Sequence, residues 1–330
     1  MNRFGAAIFG CEGLALSVEE KRFFAEASPL GFILFARNID TSDQVRALTS
    51  DLRDSIGWNA PVFIDQEGGR VQRLRAPLAT EWLAPLDDVA RFGARAAKAM
   101  RLRYHIIGRE LRAHGIDGNC APMLDVARVG THKFLRNRCY GSDLKTVIEI
   151  GRAVTQGHQD AGVFPVMKHI PGHGLAQLDS HLDLPRIDLD RAELDAIDFA
   201  AFTPFADLPF GMTAHLVFEK IDPQPATVSE KMINLIRRDM GVDGFLMTDD
   251  ISMEALSGTV AERSAASIAA GCDAVLHCNG KLAEMVAIMD RVGQMTDTAQ
   301  TRAEAALATR QDPVDVDIAA LHAEFEALIP

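Results

Sequence analysis

Gly244-Phe245-Leu246-Met247-Thr248-Asp249-Asp250 is a continuous apolar run that ends in two carboxylates. The same arrangement, an apolar run followed at once by polar side chains, recurs at Asp65, Lys168-His169, His215 and Cys278-Asn279. Continuous apolar runs are typical of parallel strands buried on both faces. In a TIM barrel the carboxyl ends of all strands meet at one mouth, where active sites lie. Because packing alone does not explain five such endings, the pattern favours a (β/α)8 barrel over the alternative, a doubly wound sheet.

Eight strand candidates alternate with longer amphipathic segments along the chain. They are Ala6–Gly10, Gly31–Phe35, Pro61–Asp65, Gly118–Ala121, Phe164–His169, Gly211–His215, Gly244–Asp249 and Asp273–Cys278. The spacing predicts helices over Thr41–Ile56, within Asp87–His114, over Ser229–Met240 and over Ala261–Ala270. We therefore expect one α/β catalytic domain over residues 1–330. It consists of a single TIM barrel at about 5–295 and a short C-terminal helical appendage at 296–330, broken at Asp312-Pro313.

Composition limits the classes of function. Asp and Glu outnumber Lys and Arg by 46 to 34, for a formal net charge of -12, which argues against a nucleic-acid or anionic-membrane partner. The N-terminus starts with a strand-like segment rather than a signal region, and no apolar run approaches the ~20 residues of a membrane span. The five cysteines contain no CxxC pair and suit free thiols in a reducing compartment. We expect a cytoplasmic monomer.

The densest polar segment is Lys168-His169-Ile170-Pro171-Gly172-His173-Gly174, which starts at a strand end and continues in a loop. His169 and His173 have the i, i+4 spacing of helical zinc ligands, but Pro171 and Gly172 lie between them and disfavour that helix. A structural role is a good account of His173, with its ring hydrogen-bonded to the loop's own backbone. We expect neither a metal nor an organic cofactor.

Asp179-Ser180-His181 begins four residues after this segment. A carboxylate two residues from an imidazole can orient the ring and shift its pKa towards neutrality, which suits a general acid/base. A Ser-His-Asp hydrolase based on Ser180 is the alternative. No G-x-S-x-G elbow surrounds Ser180, however, and adjacent side chains in an extended loop diverge. The pair of Asp179 and His181 is therefore the stronger hypothesis.

Asp249 and Asp250 close the first segment, where one N-cap would suffice for the next helix. Asp250 suits that capping role or contacts behind the site. Asp249, the last residue of the strand pattern, is better placed for the barrel mouth. A carboxylate there can attack an anomeric carbon or stabilise an oxocarbenium ion.

A third segment, Ile64-Asp65-Gln66-Glu67-Gly68-Gly69-Arg70-Val71-Gln72-Arg73, places charges around a glycine pair. It lacks the G-x-G-x-x-G spacing of dinucleotide sites. The hydroxyls of a sugar suit it better, since Asp65 can accept two hydrogen bonds and Arg70 can donate a fork. A surface turn with solvated charges is the alternative for these three side chains: Glu67, Gln72 and Arg73.

Together these segments resemble glycoside hydrolase family 3, and most closely its bacterial β-N-acetylhexosaminidase branch. The similarity runs from about Gly31 to Asn279. It is carried by IDQEGGRVQRL, by KHIPGHG with DSH four residues on, by MTAHLVFEKID followed by PATVS, and by FLMTDDISMEAL. All four motifs in this order and spacing are highly specific.

The resemblance implies a role for each matching residue. Asp249 takes the nucleophile position, His181 that of the loop acid/base, and Asp179 that of its carboxylate partner. The positions implied to bind sugar are Asp65, Arg70, Arg138, Lys168 and His169. On the outer, leaving-group side the chain departs from the branch: the usual Gly-Asp/Asn-Arg-x-Phe is Arg136-Asn137-Arg138-Cys139-Tyr140, and Gly130–Phe134 is unusual.

The reaction that the resemblance implies is retaining hydrolysis of terminal β-linked N-acetylglucosamine (GlcNAc). The implied substrate is a small carbohydrate, GlcNAc-anhydroMurNAc with or without a peptide, in peptidoglycan recycling. A conventional retaining glycosidase uses two carboxylates about 5–5.5 Å apart, whereas many larger relatives take their acid/base from a second domain. We expect no such domain after the eighth strand, so a barrel loop supplies the acid. The alternatives are a β-glycoside phosphorylase or β-glucosidase of the same family, and a sugar-binding regulatory barrel without activity.

Overall fold

Eight parallel strands close into a barrel in the computed structural model, which describes residues 3–176 and 184–330. The strands are β1 (Gly5–Phe9), β2 (Pro29–Leu34), β3 (Val62–Ile64), β4 (Gly118–Asn119), β5 (Phe164–Ile170), β6 (Phe210–Thr213), β7 (Phe245–Asp250) and β8 (Ala274–His277). Each strand pairs with the next along the chain, and β8 pairs with β1. The predicted (β/α)8 barrel is therefore confirmed, and every end of the eight strands lies within two residues of its predicted position.

Phenylalanine rings fill the inside of the barrel. Phe210 lies at the centre of this cluster, with ring centroids 5.4 Å from Phe63, 5.3 Å from Phe164 and 5.8 Å from Phe245. All four side chains are buried, and edge-to-face contacts of this kind add to the hydrophobic stabilisation of about 1.5–3 kcal/mol per ring. This packing explains why the strand sequences are continuously apolar.

Twelve helices surround the barrel in the described part of the chain. They are α1 (Val18–Ala27), α2 (Ser42–Ile56), α3 (Pro85–Phe92), α4 (Ala96–Ala113), α5 (Lys133–Arg136), α6 (Leu144–Asp160), α7 (Arg191–Ala196), α8 (Glu230–Asn234), α9 (Val260–Ala270), α10 (Leu282–Val292), α11 (Asp297–Ala308) and α12 (Ile318–Glu326). Within the same residues, none of them is both long enough and apolar enough to cross a bilayer.

The predicted helix over Thr41–Ile56 is α2, and Thr41 is its N-cap, with Oγ1 accepting a hydrogen bond from the Gln44 amide. Val45, Leu48 and Leu52 are buried on one face, as their spacing predicts. The Asp87–His114 stretch divides into α3 and α4 at a 3-10 turn over Gly93–Arg95. In the third predicted helix, α8 continues into a π-helical turn over Leu235–Asp239.

Two short strand pairs and a helix complete the fold outside the barrel sheet. Gln66–Gly68 and Val71–Gln72 form an antiparallel hairpin directly after β3. Arg186–Ile187 pairs with Val217–Phe218 beyond β6. The C-terminal helix α11 contributes Ala303 and Ala306 to the cluster inside the barrel, at the end opposite the carboxyl ends of the strands.

Candidate active site

A cavity of about 450 Å³ opens at the carboxyl ends of the barrel strands, within the usual size range of small-molecule sites. Six of the residues predicted from sequence line it: Asp65, Arg70, Arg138, Lys168, His169 and Asp249. They come from the ends of β3, β5 and β7, from the hairpin after β3 and from the turn after α5. The tertiary fold thus brings together residues up to 184 positions apart in sequence (249 − 65). The predicted acid/base pair, His181 and Asp179, lies outside the described residues.

Asp249 is the penultimate residue of β7 and is half-buried. Its Oδ1 accepts a hydrogen bond of 2.8 Å from the backbone amide of Asp250. Burial alone would raise the pKa of Asp249, but the nearby His169 and His215, the hydrogen bond from the Asp250 amide and the Lys168 ammonium together hold this pKa below its usual range. The carboxylate is therefore ionised at neutral pH, as a nucleophile must be.

Asp250 ties the turn after β7 to the end of β8. Its Oδ1 accepts hydrogen bonds from the amides of Ser252 at 3.1 Å and Cys278 at 3.2 Å, and its Oδ2 accepts the Ser252 hydroxyl at 2.8 Å. Asp250 does not cap the next helix, because α9 is capped by Thr259. Of its two predicted roles, the structure shows the supporting contacts rather than the helix cap, and Asp250 also lines the cavity.

His215 follows β6 and connects it to β7 beside the candidate nucleophile. Its Nε2 lies 3.0 Å from the carbonyl of Asp250, and its Nδ1 lies 2.8 Å from the hydroxyl of Thr227. A carbonyl can only accept, so we assign the proton to Nε2 and let Nδ1 accept from Thr227. Burial lowers the pKa of His215, which keeps the ring neutral.

His169, in β5, is oriented by Asp125. Nδ1 of His169 lies 2.7 Å from Oδ2 of Asp125, whose Oδ1 accepts the backbone amide of His173 at 2.6 Å. Asp125 is fully buried, yet the two histidines hold its pKa below the usual range against the effect of burial. Because an ionised carboxylate only accepts, the proton of His169 is on Nδ1, and Nε2 is the nitrogen available to a ligand.

His173 differs in part from its predicted structural role. Its backbone, rather than its ring, makes the hydrogen bond to Asp125, and its buried Nδ1 has no hydrogen-bond partner among the described residues. The ring lies beside that of His169, with 5.6 Å between centroids, and lines the cavity. Burial lowers the pKa of His173 to about 4, so the ring is neutral at pH 7. The next residue must be glycine, because a Cβ at Gly174 would lie 2.0 Å from the carbonyl oxygen of Val126.

A network of five charged side chains builds one wall of the cavity; four of them line it and the fifth, Glu67, lies behind them. Lys168 Nζ lies 2.8 Å from Asp65 Oδ1 and 2.6 Å from Glu67 Oε1. Arg138 donates two hydrogen bonds to Glu67, of 2.8 Å from Nε and 2.7 Å from a terminal nitrogen, and Arg73 lies 3.2 Å from Asp65. Although burial raises both carboxylate pKa values, the cations hold that of Asp65 far below its usual range and lower that of Glu67 to about 2. The wall therefore carries fixed charges over the whole physiological pH range.

The surface-turn interpretation of this segment is wrong for two residues. Glu67 is only 1% exposed, and its carboxylate holds two cations that line the cavity. Gln72 is also buried and donates to the carbonyls of Leu74 at 3.0 Å and Thr80 at 2.7 Å. The third residue, Arg73, is partly buried and pairs with Asp65.

The outer rim of the cavity is built by Arg70 and the atypical Gly130–Phe134 segment. The exposed guanidinium of Arg70 donates to the carbonyl of Phe134 at 2.5 Å and lies 3.2 Å from the centre of its ring. His132, which also lines the cavity, accepts the Phe134 amide at Nδ1 over 3.3 Å and donates its own amide to the carbonyl of Ala176 at 2.9 Å. The departure in sequence therefore lies at the cavity entrance.

Sequence reasoning missed two residues of the site, Glu67 and Asp125. Glu67 stands two positions after Asp65, so its chemistry was visible in the motif, but neighbouring residues gave no sign of burial. Asp125 lies in Pro122-Met123-Leu124-Asp125-Val126, an irregular segment with no motif of its own. Its role depends on meeting His169 across 44 positions of sequence.

Comparison with known proteins defines the class. The sequence model of the "Glycosyl hydrolase family 3 N terminal domain" matches residues 14–311. The chain therefore belongs to glycoside hydrolase family 3, in agreement with the barrel and with the position of the cavity at its mouth.

Two sequence relatives and one solved structure indicate the activity within this family. The chain is 38% identical over 283 residues to the β-hexosaminidase of Alkalilimnicola ehrlichii, covering 83% of this chain and 81% of the relative, and 35% identical over 297 residues to that of Bordetella pertussis, covering 87% and 83%. It superimposes on NagZ from Neisseria gonorrhoeae in complex with N-trifluoroacetyl-D-glucosamine with a TM-score of 0.86, 28% identity and 99% coverage of both chains. The chain is thus a glycoside hydrolase, a β-N-acetylhexosaminidase acting on a small carbohydrate, and the non-catalytic alternative is set aside.

Proposed function

We propose that this enzyme removes terminal β-linked GlcNAc with net retention, through a covalent intermediate on Asp249. The observation that carries the proposal is the state of the carboxylates at the cavity. Among the described side chains that line it, Asp65 is neutralised by Lys168 and Arg73, and Asp250 is engaged in its turn. Within the described residues Asp249 is ionised and makes no ion pair with these cations, so it is the carboxylate suited to attack an anomeric carbon.

An imidazole, rather than a second carboxylate, supplies the acid/base in this proposal. The pKa of Asp65 is far too low for it to hold a proton at neutral pH. His181, oriented by Asp179, protonates the departing oxygen and then deprotonates the water that releases the sugar. His169 is the competing imidazole, since Asp125 holds it as Asp179 would hold His181.

The charged wall of the cavity binds the hydroxyl groups of the sugar. Asp65 accepts from hydroxyls, while Lys168, Arg138 and His169 donate to them. Arg70 contributes at the rim. The relatives named β-hexosaminidase, and the glucosamine derivative in complex with NagZ from Neisseria gonorrhoeae, support GlcNAc rather than glucose as this sugar.

The leaving group that suits the entrance is an anionic sugar, as in GlcNAc-anhydroMurNAc with or without its peptide. Arg70 and His132 line this side of the cavity, in a chain that is acidic as a whole. Such a substrate places the enzyme in peptidoglycan recycling in the cytoplasm. The five free and buried cysteines are consistent with that reducing compartment.

In this mechanism the enzyme uses no cofactor, and a single domain carries the site. The barrel at about residues 5–295 carries every proposed site residue, and residues 296–330 form a helical appendage that closes its lower end. We propose that the enzyme acts as a monomer.

Three measurements on the purified enzyme test this proposal. Aryl β-glycosides of GlcNAc, glucose and N-acetylgalactosamine are compared, with and without phosphate, and the GlcNAc substrate should give free GlcNAc at the highest rate whether or not phosphate is present. Asp249→Ala should lower kcat by about 10³-fold or more. A 2-fluoro glycoside should leave a sugar on Asp249, seen by peptide mass spectrometry. Phosphorolysis, a preference for glucose, or an unlabelled Asp249 with the acetamido group acting as nucleophile would each overturn the proposal.

A further inference from the structure

Glu67 lies behind the cavity wall rather than in it. The residue belongs to the hairpin after β3 and is 1% exposed, and it is not among the side chains that line the cavity. Its neighbours Asp65, Arg138 and Lys168 do line it. A carboxylate in this position acts on a ligand only through the cations that it holds.

The carboxylate of Glu67 determines where two cations point. Arg138 is held by a bidentate fork, of 2.8 and 2.7 Å, which fixes the plane of the guanidinium. Lys168 is held 2.6 Å from Glu67 and 2.8 Å from Asp65, so its ammonium group is fixed between two carboxylates. Both cations are nearly buried and would be costly to leave without these partners.

Lys168 and Arg138 both keep N–H donors that Asp65 and Glu67 do not occupy and that a ligand can use. A lysine has three N–H donors, and Asp65 and Glu67 take two of those on Lys168, which leaves one. An arginine has five, and Glu67 takes two of those on Arg138, which leaves three. The directions of these remaining donors follow from the position of Glu67.

The backbone of Glu67 is itself held from behind. Its carbonyl accepts hydrogen bonds from the guanidinium of Arg103 and from the hydroxyl of Tyr104 at 3.2 Å. Gly68 has a φ of +109°, and a Cβ there would lie 1.9 Å from Arg103, so glycine is required for this approach. On the other side, the amide side chain of Asn119 holds both polar groups of the Gln66 backbone, at 2.9 and 3.1 Å.

We propose that Glu67 is a positioning residue for the binding of GlcNAc in this enzyme: it orients the free N–H groups of Arg138 and Lys168 towards the sugar hydroxyls. This inference rests on the proposed sugar-binding roles of those two cations. It assigns to Glu67 a function in substrate affinity although the residue touches no substrate.

The experiment compares kcat, KM and the inhibition constant of free GlcNAc for the wild-type enzyme and for Glu67→Gln. We expect kcat/KM to fall about 100-fold, because one partner of a buried ion network is lost, with KM and the inhibition constant both rising at least about tenfold. Glu67→Asp keeps the charge but is one methylene shorter, so its KM and inhibition constant should lie between those of the wild-type enzyme and Glu67→Gln. This variant keeps the proposal testable if Glu67→Gln does not fold. A purely structural role would lower kcat through loss of folded enzyme and leave KM and the inhibition constant unchanged, which would overturn the inference.

Asp273→Asn is the matched control. Asp273 is an equally buried carboxylate with two cationic partners, Arg237 at 2.5 Å and Arg302 at 3.1 Å, but it precedes β8 at the opposite end of the barrel. This variant should lower the unfolding temperature and leave KM unchanged.

Lys168→Met and Arg138→Leu test the proposed sugar contacts separately from the positioning role of Glu67. If neither raises the inhibition constant of GlcNAc, the proposed sugar contacts are wrong. If both raise it and Glu67→Gln does not, only the positioning role is wrong.

Discussion

Oδ2 of Asp125 lies 2.7 Å from Nδ1 of His169, and both side chains are buried: His169 lines the cavity and Asp125 lies behind it. The carboxylate fixes the tautomer of the imidazole and holds the ring plane, so that Nε2 is the nitrogen left for a ligand. The other oxygen of Asp125 holds the His173 amide at 2.6 Å. One buried side chain therefore sets both the orientation of a ring and the path of the loop that follows it.

Asp125→Asn should lower kcat/KM by about 10- to 100-fold, the range seen when a carboxylate that orients a metal-binding histidine is removed. Asparagine has one oxygen for two donors, so either the ring of His169 or the backbone amide of His173 then faces an NH2 group. Steady-state kinetics on an aryl GlcNAc substrate measures the change. Asp198→Asn, at another buried carboxylate paired with an arginine at 2.8 Å, is the control and should keep KM. Full activity in Asp125→Asn would show that the orientation of His169 is unimportant.

His181→Ala and His169→Ala should differ in their dependence on the leaving group. Loss of a general acid slows substrates with poor leaving groups far more than activated aryl glycosides, which need little protonation. We expect that pattern for His181→Ala and a similar loss on all substrates for His169→Ala. A series of aryl glycosides with leaving groups of graded pKa measures both slopes. The opposite pattern would transfer the acid/base role to the Asp125–His169 pair.

His158 should make the stability of the protein depend on pH. The ring is fully buried, its Nε2 accepts the Asn119 amide at 2.9 Å, and burial lowers its pKa to about 3. Below pH 6.5 the unfolded chain takes up a proton that the folded protein refuses, so this group lowers the free energy of unfolding as the pH falls towards 3. His158→Gln should therefore reduce the slope by about 1.4 kcal/mol per pH unit between about pH 6 and pH 4.

Urea unfolding from pH 8 to pH 4 measures that slope in the wild-type protein and in His158→Gln. At pH 8 the imidazole is neutral in both states, so any difference there reports packing alone and serves as the internal control. Equal slopes in the two proteins would mean that His158 takes up its proton in the folded state.

Arg310→Ala should destabilise the fold without affecting catalysis. Arg310 connects the end of α11 to the barrel by an ion pair with the buried Asp117, and it also donates to the Asn59 carbonyl at 3.0 Å. In the variant, Asp117 still has a second partner, Arg53 at 3.2 Å, and the Arg310 side chain is partly exposed in the wild-type protein. We therefore expect a loss of about 1–3 kcal/mol in the free energy of unfolding.

Chemical denaturation checks this value, and unchanged KM checks the separation from the site. The control is Arg22→Ala, which removes an exposed i, i+4 pair with Glu26 and should cost about 0.5 kcal/mol or less. Equal losses in the two variants would show that the ion pair beneath the barrel contributes no more than a surface pair.

The fold was largely predictable because its main signals are local. Continuous apolar runs such as Phe245–Met247 mark strands buried on both faces, and the cap at Thr41 and the spacing of Val45, Leu48 and Leu52 mark a helix. The helix over Ala261–Ala270 was predicted to within one residue of its start, but the role of Asp250 was left open. A carboxylate after a strand suits both an N-cap and a turn, and only the Thr259 cap and the contact of Asp250 with Cys278 distinguish the two.

The site was predictable where a residue stands at a strand end and unpredictable where it depends on contacts across the fold. Asp249, Lys168 and His169 end strands, so their place at the barrel mouth follows from topology. Whether Glu67 is solvated or buried cannot be read from its neighbours, since that depends on Arg138, 71 positions away.

The sequence by itself determined the barrel, the position of its mouth and the family to which the chain belongs, because strand periodicity and motif spacing are properties of short segments. Only the tertiary structure decided which charges act together. It placed Glu67 behind Lys168 and Arg138, and it placed Asp125 behind His169. The physical reason is that electrostatic and hydrogen-bonding effects depend on distances of 3 Å or so between atoms, and the folded chain, rather than the order of residues, sets those distances.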